Sequence, residues 1–230
     1  MIKNTSLIGF SFENHEIVDK QKRHRAYIDE KEYFFFFKRF FDIILSVFFL
    51  IAVMSWLTPL VAVFIKLTSK GSVFFLQKRA GRGCRIFTCF KFRTMIVNDE
   101  ADYMQASDND IRITRVGKFL RKTNIDELPQ LLNVLLGDMS IIGPRPHMLS
   151  ECSKFSTIIP DYKFRAMVRP GLTGMAQVKG FHGPTPDFEN IFRRYQWDAF
   201  YVRNTNFWLD FRIFYKTITQ RIGSLVMYFF

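Results

Sequence analysis

Two adjacent carboxylates, Asp126 and Glu127, lie in the part of this 230-residue chain whose residue types best suit catalysis. Lysines and arginines precede them, and a Gly-Pro-Arg-Pro sequence containing Arg145 follows. An aspartate can attack phosphorus to form an acyl phosphate. A neighbouring glutamate can hold Mg²⁺, which binds few protein carboxylates and shares the oxygens of a phosphate ligand. The arrangement therefore favours chemistry on a phosphate ester with a divalent metal.

Adjacent acids at the start of a helix also have a purely structural explanation, because negative side chains are favoured near the positive end of the helix dipole. That explanation does not account for the strongly basic neighbourhood. Positive side chains and helix amides keep a carboxylate ionised, as a nucleophile or a metal ligand must be. We therefore expect both Asp126 and Glu127 to be ionised.

A proline and a leucine pattern predict the helix that carries this pair. Pro129 lacks a backbone donor, so we expect the helix to begin near Asp126 with the proline in its first turn. Gln130 and Asn133 share a polar face with Asp126. Gly137 is expected to end the helix. Four leucines recur at helical spacing and form one apolar face: Leu128, Leu131, Leu132 and Leu135.

An apolar run from Ile43 to Ile65 extends over 23 residues without a charge. Roughly 20 apolar residues suffice to cross a bilayer, so a spanning helix is the simplest interpretation. Basic residues flank both ends, however, and no acid occurs from Ile43 to Asn98. The positive-inside rule then places both flanks in the cytoplasm, which a single span cannot satisfy.

Thr58 and Pro59 lie two-thirds along this run and predict a break in the helix. Proline removes one backbone hydrogen bond and bends a helix. Thr58 can hydrogen-bond a freed carbonyl, which makes such a break tolerable in lipid. A re-entrant helix, entering and leaving on the cytoplasmic face, fits the break and the flanking charges. The residues alone leave the re-entrant helix and the simple span open.

The composition indicates which kinds of binding partner are favoured, but it does not distinguish among them. Apolar residues make up 48% of the chain, Phe occurs 28 times, and the net charge is +12. The aromatic surplus favours lipid contact, and the positive charge favours nucleic acid, an acidic membrane face or phosphorylated substrates. The three cysteines are odd in number and lack CxxC spacing, which indicates reduced thiols in a cytosolic compartment.

Outside the apolar run, the sequence predicts one hairpin and two amphipathic helices. Val73–Leu76 and Ile86–Phe90 are β-prone and flank the turn-like Ala80–Gly83 sequence, which indicates a β-hairpin. Apolar residues recur at helical spacing from Phe188 to Val202 and from Trp208 to Ile222, with arginines among them. Such helices can lie on a membrane or on the domain itself.

Four motifs occur in a fixed order: KFRTM at Lys91–Met95, LRKTNIDELPQLLNVLLGDMS from Leu120, IIGPRP from Ile141, and RPGLTGMAQV at Arg169–Val178. Through these motifs, residues 38–219 resemble the bacterial sugar transferase family, the monotopic phosphoglycosyl transferases. Members of that family move a sugar-1-phosphate from a nucleotide sugar onto polyprenyl phosphate. Met175 stands where the family often has Trp, which leaves nucleotide and sugar contacts at that position open.

The resemblance assigns roles to individual residues. It implies that Asp126 is the nucleophile and that Glu127 is its partner, with both at the Mg²⁺ site. Prolines beside Arg145 and Arg169 stiffen the backbone and lower the entropy lost when a guanidinium clamps phosphate. The residues implied to bind substrate or phosphate are Lys91, Arg93, Arg121, Arg145, Arg169, Gln177, Asp198 and Tyr201.

The resemblance also implies an architecture. The expected fold class is α+β and mostly helical, in a membrane-monotopic protein with one re-entrant helix, a small β-hairpin and amphipathic interfacial helices. The helix break falls at Thr58-Pro59, where the family has Ser-Pro. Residues 1–32 would form a polar leader, 33–68 the re-entrant helix, and 69–230 a cytosolic catalytic domain with C-terminal interfacial helices. The expected location is the cytoplasmic face of a bacterial inner membrane.

The implied reaction transfers a sugar-1-phosphate from a UDP-sugar to polyprenyl (undecaprenyl) phosphate, releasing UMP through a covalent phosphosugar–Asp126 intermediate. It would initiate the synthesis of a cell-surface polysaccharide or glycoconjugate. The expected partners are Mg²⁺, the UDP-sugar, polyprenyl phosphate and an anionic lipid surface, but no nucleic acid; a homodimer is compatible. Two alternatives remain: a non-catalytic basic membrane-associated scaffold or nucleic-acid binder, and a transferase with direct lipid attack and no covalent intermediate.

Overall fold

The computed structural model describes residues 30–98, 110–181, 183 and 187–229. Of the leader predicted for residues 1–32, residues 1–29 lie outside this described part. The described residues fall into two compact units, with the boundary between Arg39 and Phe40. The second unit contains both small sheets and every residue of the candidate site.

A long apolar helix occupies Glu32–Thr68. Its α-helical parts are α1, Glu32–Phe49, and α2, Ser55–Thr68, and a π-helical stretch, Leu50–Met54, joins them. The helix is long and apolar enough to cross a membrane, with a mean hydropathy of 2.4 over its most apolar window. Only 17% of that window is buried, which is unlike the core helix of a soluble protein.

The irregular part of this helix precedes the predicted break. Thr58 and Pro59 both lie inside α2, so the helix continues through the proline instead of breaking there. The departure from α-helical geometry is the wider turn at Leu50–Met54. A proline ring crowds the carbonyl four residues before it, which here belongs to Ser55. The wider turn ends directly before that carbonyl and gives the chain room to accommodate the ring.

Polar side chains bond carbonyls of the π-helical stretch. The Ser55 hydroxyl donates to the Ile51 carbonyl at 2.6 Å, and the Trp56 indole donates to the Ala52 carbonyl at 3.0 Å. Both accepting carbonyls lie before that of Ser55, which Pro59 leaves without its helical donor, so these bonds do not take the role predicted for the Thr58 hydroxyl. These bonds lower the cost of placing an irregular helix in an apolar environment.

The predicted β-hairpin is present. Strand β1, Phe74–Ala80, pairs antiparallel with β2, Ile86–Phe92, with Phe74 opposite Phe92 and Ala80 opposite Ile86. Both strands are longer than predicted. Their pairing is continuous from Phe74 opposite Phe92 to Ala80 opposite Ile86. A 3₁₀ turn at Arg82–Cys84 connects them.

The acidic pair lies between two helices, in a 3₁₀ turn at Ile125–Glu127. Helix α3, Arg115–Thr123, precedes this turn, and α4, Gln130–Leu136, follows it. The prediction that the helix begins near Asp126 was therefore wrong. Pro129 cannot donate to the Ile125 carbonyl, and the Leu128 amide donates to it instead at 3.1 Å, which gives the tighter turn.

Helix α4 is attached to the hairpin through a buried polar side chain. Asn133 is fully buried; its side chain accepts from the Phe90 amide at 2.9 Å and donates to the Thr88 carbonyl at 2.7 Å. The predicted polar face of α4 thus packs inward, whereas Leu132, on the predicted apolar face, is 38% exposed. Gly137, at φ +91°, ends α4 as predicted.

A second sheet was not predicted. Strand β3, Ser140–Ile142, pairs in parallel with β4, Gly171–Thr173, so the Arg169–Val178 motif lies beside the segment that follows the acidic pair. The backbones approach so closely that a Cβ on Gly171 would lie 2.1 Å from the Gly143 amide nitrogen. The remaining helices are α5, Leu149–Ile158; α6, Met175–Val178; α7, Phe188–Asn204; and α8, Phe207–Phe229.

Helices α7 and α8 confirm the two helices predicted near the C-terminal end. Large apolar side chains remain exposed along α8: Phe207, Trp208, Phe211 and Tyr215. The structure as a whole confirms the α+β, mostly helical fold class, with small two-stranded sheets and one helix long enough to cross a membrane.

The close approach at Gly171 generates a stability prediction. A Gly171→Ala variant would place a Cβ between the Gly143 amide nitrogen at 2.1 Å and the Thr173 carbonyl at 2.5 Å, both of which are backbone. We expect a loss of about 2–4 kcal/mol in unfolding free energy, measured by denaturation of the detergent-solubilised chain. Gly223→Ala is the control, since no heavy atom lies within 4 Å of its added Cβ. Equal stability of the two variants would contradict the tight pairing of β3 with β4.

Candidate active site

Glu127 is fixed by two basic side chains. It is 7% exposed, and its Oε1 accepts from Lys91 Nζ at 2.7 Å while its Oε2 accepts from an Arg145 guanidinium nitrogen at 3.0 Å. Arg145 also donates to Oε1, so its guanidinium binds both oxygens. Such a bidentate pair holds the carboxylate in one position and stabilises its ionised form.

Asp126 has a different environment, although it is the next residue. Its side chain is 8% exposed and lines a cavity of about 340 Å³. Its Oδ1 atom is buried and has no hydrogen-bond partner among the described residues. A buried acceptor without a partner is costly, and such groups mark functional sites more often than structural ones. Asp126 therefore has an oxygen open to a ligand in the cavity, whereas both oxygens of Glu127 already accept hydrogen bonds from Lys91 or Arg145.

The two carboxylates also differ in protonation. Burial, together with the charge of Glu127, raises the pKa of Asp126 to about 6, although Lys91, Arg121 and Arg145 act to lower it. Burial alone would raise the pKa of Glu127, but Arg145 and Lys91 outweigh that effect and hold it well below its usual range. Glu127 is thus fully ionised, as expected. Asp126 is the more basic of the two carboxylates, but it is still largely ionised at neutral pH.

The cavity has a strongly basic wall. Its volume is within the roughly 300–1,000 Å³ typical of small-molecule sites. Two acids, Asp126 and Glu151, face six lysine and arginine side chains. This excess of positive charge favours a ligand with several negative charges, such as a diphosphate. The basic residues of the wall are Arg79, Lys91, Arg93, Arg121, Arg145 and Arg194.

Four of the predicted binding residues meet at this cavity, namely Lys91, Arg93, Arg121 and Arg145. Arg93 differs from the other three, because its guanidinium donates to the carbonyls of Lys70 at 2.7 Å and Ser69 at 3.0 Å. These carbonyls lie directly after α2, so Arg93 ties the end of that helix to the cavity wall.

Arg169 and Gln177 are not among the described residues that line this cavity. Arg169 Nε donates to the Gly137 carbonyl at 2.9 Å, where α4 ends, and Gln177 Nε2 donates to the Leu172 carbonyl at 3.3 Å. Both side chains thus contact main-chain oxygens of the framework. That Arg169 and Gln177 bind substrate or phosphate stays a prediction.

Asp198 lies behind the cavity and acts on it through a second arginine. It is 1% exposed and accepts from Arg165 Nε at 2.9 Å and from another Arg165 nitrogen at 2.7 Å. Arg165 also donates to the Arg145 carbonyl at 2.6 Å. Asp198 therefore holds the backbone of Arg145 in place through Arg165, and the substrate contact predicted for it stays a prediction.

Tyr201 likewise has a framework position. Its hydroxyl, fully buried, donates to Asp210 Oδ1 at 2.9 Å and lies 3.2 Å from the Ile142 carbonyl. Burial, followed by the charge of Asp210, raises the pKa of Tyr201 well above its ordinary value, so this hydroxyl remains protonated. Tyr201 thereby joins α7, α8 and β3, and the substrate contact predicted for it is not seen at the cavity wall.

The sequence did not single out three residues that line the cavity, Arg79, Glu151 and Arg194. A signal for Arg194 was available, because it precedes Asp198 by four residues and so shares its helix face. His147, which directly follows the Gly-Pro-Arg-Pro sequence, also lines the cavity. Burial, and secondarily Arg165 and Arg194, hold the pKa of His147 well below its usual range, so its ring is neutral.

The site can accommodate Mg²⁺ together with a phosphate ligand. No group of three or more His, Cys, Asp or Glu side chains that could hold a metal is found within the described ranges. Mg²⁺ does not need one, since it commonly uses one or two carboxylates and completes its coordination with water and phosphate oxygens. The unpartnered Oδ1 of Asp126 beside the ionised Glu127 fits that donor set.

The sequence of this chain is similar to those of sugar transferases, whose substrates carry phosphate groups of the kind that the basic cavity favours. A sequence model of the bacterial sugar transferase family matches residues 33–224. A UDP-glucose:undecaprenyl-phosphate glucose-1-phosphate transferase of Xanthomonas campestris pv. campestris is 45% identical over 206 residues, which cover 87% of this chain and 42% of that protein. The Aeromonas hydrophila UDP-N-acetylgalactosamine-undecaprenyl-phosphate N-acetylgalactosaminephosphotransferase is 47% identical over 80% of this chain and 43% of its own length.

A shorter relative matches over nearly its whole length. The exopolysaccharide production protein PSS of Rhizobium leguminosarum bv. phaseoli is 42% identical over 80% of this chain and 94% of that protein. The chain spans less than half the length of the two relatives described before it. The region shared by all three therefore includes the part of the chain that carries the acidic pair.

The buried pair of Asp198 and Arg165 generates a prediction. An Asp198→Asn variant leaves the Arg165 charge buried without its partner, so we expect a loss of about 3–5 kcal/mol in unfolding free energy, measured by denaturation in detergent. Glu189→Gln is the control, because the Glu189–Arg193 pair is exposed and such pairs contribute about 0–1 kcal/mol. Equal losses in the two variants would contradict the role assigned to Asp198.

Proposed function

The chain belongs to the bacterial sugar transferase family, and we propose that it transfers a sugar-1-phosphate from a UDP-sugar to undecaprenyl phosphate with release of UMP. One observation carries the proposal: within the described part of the chain, a buried Asp126 oxygen has no hydrogen-bond partner and lies at the wall of a cavity with six basic side chains. The names of the relatives from Xanthomonas and Aeromonas describe this type of transfer for two different sugars.

In the first step, the Asp126 carboxylate attacks the β-phosphorus of the UDP-sugar. A carboxylate oxygen bonds to that phosphorus as the bond from the phosphorus to the bridging oxygen breaks. UMP leaves with the bridging oxygen and its electron pair, and the sugar phosphate remains on Asp126 as an acyl phosphate. Glu127 is unsuited to this attack because both of its oxygens already accept hydrogen bonds from Lys91 and Arg145.

In the second step, an oxygen of undecaprenyl phosphate attacks the same phosphorus. The bond from phosphorus to Asp126 breaks, the carboxylate is regenerated, and undecaprenyl-diphospho-sugar leaves. One diphosphate linkage replaces another, so the overall free-energy change is small. The reaction needs no further energy source, and its rate depends on how well the site stabilises negative charge at the phosphorus.

Positive charge close to Asp126 supplies that stabilisation. Lys91 and Arg145 hold Glu127 and remain at the cavity wall, and Arg121 lines the same cavity. In phosphoryl transfer, catalysis consists mainly of positioning and electrostatic stabilisation, which preorganised cations provide. Asp198 contributes indirectly by fixing Arg165 against the Arg145 backbone.

We propose Mg²⁺ as the cofactor. Asp126 and Glu127 would hold it together with oxygens of the diphosphate, in keeping with the unpartnered Asp126 oxygen. When bound, Mg²⁺ neutralises part of the phosphate charge and polarises the phosphoryl group.

We also propose that the helix Glu32–Thr68 is re-entrant and holds the enzyme on the cytoplasmic face of the bacterial inner membrane. Supporting observations are its low burial, the proline inside α2, and the basic residues that flank the apolar run on both sides. The exposed aromatic side chains along α8 suit a helix at the lipid–water boundary. This placement would bring the cavity to the height at which a lipid phosphate meets a soluble nucleotide.

Substitution of Asp126 tests the proposed function. We expect Asp126→Asn to lower UMP release by about 10³-fold or more, because the amide cannot attack phosphorus, in an assay with undecaprenyl phosphate and a panel of UDP-sugars. The variant should unfold at the same or a higher temperature, since burial disfavours the charged form of Asp126. It should also remain in the membrane fraction.

Glu189→Gln is the matched control for this assay, because Glu189 is an exposed acid of α7 paired only on the surface. It should retain UMP release within about twofold. Near-wild-type turnover by Asp126→Asn would contradict the nucleophile. Absence of UMP release from every UDP-sugar with the unmodified chain would favour the non-catalytic scaffold.

The re-entrant helix predicts the location of both chain ends. With epitope tags at the two termini, both tags should be digested by protease added to inside-out membrane vesicles, and both should be protected in intact spheroplasts. A single span would expose one tag in each preparation, because its ends lie on opposite faces. That second pattern would contradict the re-entrant placement.

A further inference from the structure

Arg194 is a buried cation at the wall of the cavity that contains Asp126. It lies on α7 and is 5% exposed. One guanidinium nitrogen donates to the Gly183 carbonyl at 2.8 Å, whereas Nε is buried and has no hydrogen-bond partner in the described part of the chain. The buried Nε donor is therefore available to a ligand.

Arg194 differs from Arg145 and Arg165, its neighbours at or near the cavity, because among the described residues it has no acidic partner. Arg145 pairs with Glu127, and Arg165 pairs with Asp198. Among the described residues, no carboxylate forms an ion pair with Arg194. A buried charge is costly unless it is paired, so a cation kept in this position indicates a ligand that brings the negative charge.

Burial and the charge of Arg145 both disfavour the charged form of Arg194. Burial lowers its pKa, and the nearby charge of Arg145 lowers it further, while Asp198 acts in the opposite sense. Glu151 and Arg165 have weaker effects of opposite sign. An anion in the cavity would relieve both the desolvation of Arg194 and its repulsion from Arg145.

A second nitrogen without a partner lies on the same wall. His147 Nε2 is buried and has no partner among the described residues, while its Nδ1 is hydrogen-bonded to the Tyr162 hydroxyl. Arg194 is among the charges that act on His147, so the two side chains are neighbours. When Tyr162 donates to Nδ1, the neutral ring carries its proton on Nε2 and becomes a hydrogen-bond donor.

We propose that Arg194, assisted by His147, forms a second phosphate-binding subsite of the cavity, apart from the Lys91 and Arg145 cations that hold Glu127. This inference rests on the proposed function for the identity of the ligand, which is either a phosphate of the nucleoside diphosphate or the phosphate of the polyprenyl acceptor. Both are oxyanions that accept from Nε and from the second guanidinium nitrogen. The subsite holds a phosphate group that Asp126 does not attack.

Binding of UDP to the full chain in detergent tests the subsite, with Arg194→Gln as the variant and Arg193→Gln as the matched control. Arg193 is the preceding residue of α7 and carries the same charge, but its side chain is 57% exposed and pairs with Glu189. We expect the dissociation constant for UDP, measured by calorimetry, to rise about tenfold or more for Arg194→Gln and less than about twofold for Arg193→Gln.

The kinetics of the two half-reactions distinguish the two sources of phosphate. In a two-step transfer, kcat/KM for each substrate reports its own half-reaction. If UDP binding and kcat/KM for the UDP-sugar both fall, the subsite binds the nucleotide phosphate. If only kcat/KM for undecaprenyl phosphate falls, it binds the lipid phosphate. No change beyond about twofold in any of these quantities would overturn the subsite.

Arg194→Lys keeps the test valid if Arg194→Gln does not fold. Lysine retains the charge and can donate to the Gly183 carbonyl, but it removes the Nε donor and the planar fork. We expect its unfolding temperature to match the unmodified chain while its UDP affinity falls about threefold to tenfold. An unchanged UDP affinity together with an unchanged kcat/KM for undecaprenyl phosphate would overturn the subsite. UDP binding requires no turnover. Weaker UDP binding by the variants would therefore support the subsite even if the chain released no UMP.

Discussion

The ion-paired carboxylate of Glu127 is the interaction on which the site depends. Lys91 from β2 and Arg145 from the Gly-Pro-Arg-Pro segment both bind it, so three separate parts of the chain meet at one buried charge. This arrangement makes the two adjacent acids different from each other. Glu127 is neutralised by its partners, and its negative charge helps to raise the pKa of Asp126 to about 6. Asp126 is left as a poorly solvated, basic carboxylate at a cavity wall.

The surrounding framework keeps this arrangement rigid. Asn133 bonds α4 to β2, and Arg165, held by Asp198, bonds the Arg145 backbone. The tight pairing of β3 with β4 at Gly171 brings the Arg169–Val178 motif against the segment that contains Gly143. Because these contacts are buried or partly buried, the cations around Asp126 are preorganised before any ligand enters, which is the condition for electrostatic catalysis.

Local patterns in the sequence predicted the helices and strands. What the site residues do depends on contacts between residues that are far apart in the chain. The hairpin, the apolar helix and the end of α4 at Gly137 follow from β-propensity, hydropathy and glycine chemistry. The 3₁₀ turn at Asp126, the parallel β3–β4 pair and the burial of Arg194 depend on partners far along the chain, which no local pattern contains. Asp198 was chosen because it resembles a residue of the family. Its contact with Arg165 is visible only in the structure.

The most direct test of this account is mass spectrometry of the chain after incubation with a UDP-sugar in the absence of the lipid acceptor. Acid quenching and proteolysis should yield a peptide containing Asp126 and Glu127 whose mass has increased by one sugar phosphate, with the group attached to Asp126. Addition of undecaprenyl phosphate before quenching should remove it. Attachment to Glu127, or an unmodified peptide from a preparation that releases UMP normally when lipid is present, would contradict the account.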